Sequence, residues 1–124
     1  MKLRFARHTN DLDKIKSFYI NVLGFQLLGE FTNHDNYDGI FIGKPNLDWH
    51  LEFTKSNETV KFEFGDEDYL VLYPYNMIEY DSIIDKIHKN KVALLDSKNP
   101  YWNKYGTIIL DPDGFRIIIS NLKT

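Results

Sequence analysis

Residues 39–53 and 106–119 are two copies of one strand–turn–strand pattern. GIFIGKPNLDWHLEF lies over GTIILDPDGFRIII, so that Gly39 falls on Gly106 and Pro45 on Pro112. With one residue fewer in the second turn, His50 falls on Arg116 and Glu52 on Ile118. A repeat at this spacing means that one supersecondary unit has been built twice, and it narrows the possible folds more than any other feature.

The rest of the chain agrees with a doubled unit. LRFARHT (residues 3–9) alternates and predicts a strand. The period then changes: Leu12, Ile15, Phe18, Tyr19, Val22 and Leu23 recur at helical spacing, with Asn10 or Asp11 as cap and Gly24 as stop. FQLLGEF, YDGIFIG and DWHLEFT predict three further strands. The order restarts with YLVLYPY. Asn76 and Glu79 have capping-box spacing, and Tyr80, Ile83, Ile84 and Ile87 form the next helical stripe. KVALLDS, KYGTIIL and FRIIIS predict three more strands. The expected class is α+β: two βαβββ modules, residues 1–55 and 69–124, joined by a connector over residues 56–68 in which VKFEF could pair on an edge.

Composition removes several kinds of function. The 124 residues suffice for one domain, and 15 lysines and arginines against 18 acids give a net charge of −3. No clustered basic face is present, so nucleic acid is not an expected partner. No apolar run approaches the roughly 18 residues of a membrane span, and MKLRFARHTND lacks a signal-peptide core, so no membrane and a cytoplasmic location are expected. The absence of cysteine excludes thiolate nucleophiles and disulfides. Ser17, Ser56, Ser82, Ser97 and Ser120 lack the G-x-S-x-G turn, and no glycine-rich phosphate loop occurs.

The stretches DLDKIKSFYINVLGF and DPDGFRIII, set in the doubled module order, resemble the vicinal oxygen chelate superfamily: glyoxalase I, extradiol dioxygenases, and fosfomycin- and bleomycin-resistance proteins. The resemblance covers essentially the whole chain. It implies strands curled into an open barrel around a cavity, a homodimer, and in many members a divalent metal held by His and Glu from the first and last strand of each module. Carried over residue by residue, those four positions fall on Arg4, Glu52, Tyr69 and Ile118. Glu52 is an ordinary ligand. Arg4 has donors alone and stays charged, and Ile118 has nothing to donate.

Residues two apart on a strand share a face. Arg4, Ala6 and His8 therefore look one way, as do Asp48, His50 and Glu52. The expectation is a metal-free site in which Arg4 supplies the charge a metal would have carried and pairs with Glu52, either to anchor a small-molecule ligand or as a structural ion pair in a wet cleft. Tyr73 and Trp102, the latter in NPYW, are expected to wall the cavity with Tyr69 and Ile118. The alternative is a metal-dependent glyoxalase- or dioxygenase-like enzyme using His8, His50 and Glu52 around a divalent metal. His34 and His88 read as turn and helix-end residues, and the GDED run at residues 65–68 as a solvated loop.

Overall fold

In the computed structural model, which describes residues 1–122, the chain divides into two compact units, Met1–Lys61 and Phe62–Thr124. Residues 123 and 124 of the expected second module lie outside the described residues.

The first unit runs β1 (Leu3–His8), α1 (Leu12–Asn21), β2 (Gln26–His34), β3 (Tyr37–Gly43) and β4 (Trp49–Lys55). Asp11 is the cap of α1, its carboxylate accepting the Lys14 N–H at 3.0 Å. Gly24 ends the helical segment with φ 75°, a left-handed turn that glycine adopts without steric cost. Its N–H donates to the Ile20 carbonyl at 3.1 Å, and the chain turns directly into β2. The four strands form one sheet in the order β1-β4-β3-β2, with β1 parallel to β4 and the other pairs antiparallel. Helix α1 covers one face: its buried Ile15 and Tyr19 meet the buried Ile40, Ile42, Leu51 and Phe53 side of the sheet, and the Tyr19 and Phe53 rings lie 4.9 Å apart. The Asn10 side-chain amide bonds both the N–H and the C=O of Val60, at 2.8 and 2.7 Å, and so ties the start of the connector to this unit.

The second unit runs β5 (Tyr69–Leu72), α2 (Met77–Lys89), α3 (Pro100–Tyr105), β6 (Gly106–Leu110) and β7 (Arg116–Ser120). Its sheet has the order β5-β7-β6. The first and last strands are again parallel and the last two antiparallel, as in the first unit. Asn76 caps α2, its side-chain oxygen accepting the Glu79 N–H, and the Glu79 carboxylate reaches back to accept the N–H of Tyr75, one residue before the cap. The DPDG turn is closed by the buried Asp111, whose Oδ1 accepts the Asp113 and Phe115 N–H groups at 2.9 and 3.0 Å.

Three expectations are corrected. KVALLDS is not a strand; it makes a single bridge, Leu95 to Ile108. Its start is bonded back to the end of α2, the Val92 N–H donating to the Ile87 carbonyl at 3.0 Å, and its last residue is held by a side chain: Asn103 Oδ1 accepts the Ser97 N–H at 2.7 Å, and Asn103 Nδ2 donates to the Ser97 carbonyl at 2.8 Å. KYGTIIL begins its strand at Gly106, because Asn99 caps and Pro100 opens a short helix that takes in Lys104 and Tyr105. VKFEF forms no ladder; Phe62 stacks on Phe64, which meets Phe115 edge-on at 5.0 Å. The strands make two sheets of four and three, and no closed barrel is formed among the described residues. No helix among them is long and apolar enough to cross a membrane.

Candidate functional site

The parallel pairing of β1 with β4 places Arg4 opposite His50, Ala6 opposite Glu52 and His8 opposite Thr54. Alternation then puts Arg4, His50 and Glu52 together on the sheet face opposite α1. There the Arg4 Nε–H donates to His50 Nε2 at 2.9 Å, and Nη1 lies 3.6 Å from Glu52 Oε2. Because Nε2 of His50 accepts, the proton of that neutral ring resides on Nδ1. The guanidinium lies 4.8 Å above the centre of the Phe41 ring, a cation–π contact.

Phe41, opposite Glu52 on β3, extends the site sideways. Its ring meets His50 edge-on at 5.9 Å and Phe31 of β2 at 5.9 Å. Gly39 lies under Phe31: a Cβ there would come within 2.2 Å of the ring, so only glycine lets Phe31 lie flat across the strand. The result is a row of rings, Phe31, Phe41 and His50, capped by a guanidinium. Arg4 is 50% exposed and Glu52 15%. With Arg4 half exposed, the pair adds about 0–1 kcal/mol to stability.

His8, farther along the same face, is held differently. Its Nδ1 lies 3.3 Å from Thr54 Oγ1, its ring meets Tyr37 edge-on, and its Nε2 is buried without a hydrogen-bond partner among the described residues. His8, His50 and Glu52 therefore do not converge. Among the described residues, no group of three or more His, Asp or Glu side chains could hold a metal. With Arg4, which has donors alone, at the family position on β1, the residues of this face do not fit the divalent ion that the resemblance implies.

The second unit repeats the register with other chemistry. Tyr69 lies opposite Arg116, and Val71 opposite Ile118, as Arg4 lies opposite His50 and Ala6 opposite Glu52. Tyr69 is thus the counterpart of Arg4, and its hydroxyl lies 2.5 Å from Ser97 Oγ. Ile118 is fully buried. Trp102 sits in α3 with its ring 4.9 Å from Tyr101, and Tyr73 is exposed just past β5. A cleft in this unit is lined by Tyr75, Met77, Tyr80 and Leu122, none of which the sequence pattern marks as site residues.

Arg116 has its own acid, supplied by the connector: Asp66 lies 3.4 Å from Arg116 and 2.7 Å from Lys98. The hydrogen bond from Lys98, and then the charges of Lys98 and Arg116, hold the Asp66 carboxyl below the usual carboxylate range. A depressed acid stabilises the fold above its unfolded value, about 3.9, and that contribution disappears as pH falls through the lower folded value. Carbon-13 titration is expected to show Asp66 ionising below the ordinary range, and Lys98→Met is expected to move it upward.

Comparison with known proteins follows the two-unit division. Residues 3–54 match the YycE-like N-terminal domain and residues 67–121 the YycE-like C-terminal domain. The protein YycE of Bacillus subtilis (strain 168) is 40% identical over 98% of this chain and 88% of its own length. The crystal structure of a YycE protein of unknown function from Bacillus subtilis superposes with a TM-score of 0.86 at 37% identity, covering 99% of this chain and 90% of that one. Glyoxalase I of Leishmania major shares the fold at a TM-score of 0.75 and 18% identity, over 98% of this chain and 86% of that one. So does TnmS3, an antibiotic binding protein from Streptomyces sp. CB03234, at 0.69 and 21%, over 97% and 93%.

Proposed function

Because the chain belongs to the YycE-like family of the vicinal oxygen chelate superfamily, we propose that it is a metal-free small-molecule binding protein, acting as a homodimer, whose ligand rests on the Phe31–Phe41 floor against Arg4 and Glu52. The observation that carries this reading is the guanidinium at a family ligand position. It lies 3.6 Å from the one carboxylate of the four positions, so a fixed positive charge stands where a cation would otherwise bind. A second cation beside that guanidinium would meet like charge. TnmS3, an antibiotic binding protein, shares this fold, which makes small-molecule binding one of its uses.

Equilibrium dialysis against manganese, iron, cobalt, nickel and zinc, followed by elemental analysis, is expected to leave no stoichiometric metal. One ion per chain, lost in Glu52→Ala, would instead support a metal-dependent glyoxalase- or dioxygenase-like enzyme. In parallel, a thermal-shift screen of small molecules is expected to give ligands whose stabilisation disappears in Arg4→Met. That variant's own stability is expected to change by about 1 kcal/mol or less, because an exposed ion pair contributes little. Ligands that stabilise wild type and Arg4→Met alike would remove Arg4 from the site.

A further inference from the structure

We propose that the site selects a neutral, planar ligand presenting adjacent hydrogen-bond acceptor and donor atoms, the edge carried by a carboxamide or a lactam, and disfavours carboxylates and phosphonates. The inference rests on the binding role proposed above and names the class of ligand that role takes.

The charge on this face decides the matter. Arg4 contributes one positive charge and Glu52 one negative, and His50 is neutral because its Nε2 accepts from Arg4. The other side chains sharing the face on β1, β3 and β4 are Ala6, His8, Tyr37, Phe41 and Thr54; none of them is an acid, and the one base, His8, lies four residues along β1 from Arg4, opposite Thr54. The local sum is zero. An anion reaching the Arg4 fork must come beside a carboxylate that is already 15% exposed and poorly hydrated, so the attraction of the one is offset by the repulsion of the other.

Hydrogen-bond supply points the same way. The Arg4–Glu52 separation of 3.6 Å exceeds hydrogen-bond length, so the pair attract without saturating one another. Arg4 Nε is committed to His50, while the terminal N–H groups remain as donors and the carboxylate as an acceptor. A ligand that only accepts would cover Glu52 and strip its water without replacing it. A carbonyl flanked by N–H satisfies both at once, the C=O taking an Arg4 N–H and the N–H giving to Glu52. The ring that bears such an edge can lie along the row of Phe41 and Phe31, whose centroids are 5.9 Å apart.

Three probes of one shape test this: benzamide, benzoate and acetophenone, titrated into the full-length protein by ligand-observed NMR. Benzamide is expected to bind roughly tenfold more tightly than either of the others, the scale of one buried hydrogen-bonding group left unmade. Glu52→Gln removes the negative charge and leaves Arg4 uncompensated, so the order of benzamide and benzoate is expected to invert. Benzoate binding wild type as tightly as benzamide, or an order unchanged in Glu52→Gln, would overturn the neutral-edge inference while leaving a ligand site at Arg4. Failure of all three probes would overturn the inference as well; the binding role would then stand or fall on whether the thermal-shift screen yields an Arg4-dependent ligand.

Discussion

Ile118→Glu, which restores a carboxylate at the last of the four family ligand positions, is expected to destabilise the protein by about 4 kcal/mol or more rather than to create a metal site. The side chain is fully buried on the central strand of the second sheet, and Gly106 lies so close that a Cβ there would sit 2.7 Å from Ile118 Cγ2. A carboxylate placed there has lost its water; its paired neighbours, Val71 and Ile108, bring no cation, and Arg116, two residues along the same face, already faces Asp66 at 3.4 Å. Burial favours the neutral acid, so the deficit is expected to shrink as pH is lowered and the carboxyl protonates. Urea denaturation at pH 5 and pH 8 reads both effects. Ile118→Val, which removes one methyl group and adds no charge, is expected to cost about 0.5–1.5 kcal/mol with no such pH dependence. A stable Ile118→Glu protein that takes up one metal ion would mean that the position is a vacant ligand site and not part of the core.

That contrast explains why the site was legible in part. Arg4 and Glu52 could be brought together from sequence because the resemblance sets the first and last strands of a module around one site; period-two alternation then adds His50, and each of the three is polar where its neighbours are not. The repeat predicted the counterpart positions as well, and the strand registers pair Arg116 with Tyr69 as they pair His50 with Arg4. The aromatic floor was hidden for the opposite reason. Phe41 alternates with Ile40 and Ile42, and nothing in an unbroken apolar run tells which face a helix will cover. The hint was Gly39, a residue with no side chain of its own, two before Phe41 on the same face.

The misread elements have equally local causes. KVALLDS has strand composition, but its first residues bond back to the end of α2 and the Asn103 side chain takes both backbone groups of Ser97, which leaves a single bridge to β6. Asn99-Pro100, a cap followed by a proline at the first helical position, carries the signal for the short helix that the aromatic residues of NPYW obscured. The Asp66 network was invisible because its three members, Asp66, Lys98 and Arg116, lie far apart in sequence and only one is on a strand.

The sharpest test of which face of the first sheet is core and which is site lies in two adjacent residues. Phe53 and Glu52 are neighbours on β4 and point to opposite sides. Phe53 is 1% exposed, with Tyr19 of α1 4.9 Å from its ring and the Arg7 guanidinium 5.1 Å from it. Phe53→Ala removes the ring from a packed interface that cannot close over the space, and the expected cost is about 3–5 kcal/mol, a large part of the stability of a domain this size. Glu52→Ala removes a carboxylate whose partner is an exposed arginine at 3.6 Å, and the expected change is within about 1 kcal/mol. Ligand binding is expected to sort the two the other way: abolished in Glu52→Ala and, at temperatures where it remains folded, retained in Phe53→Ala. If Glu52→Ala instead unfolds the protein as severely as Phe53→Ala, the Arg4–Glu52 face is a second core surface. The charges on it would then be structural, and the ligand must be sought elsewhere.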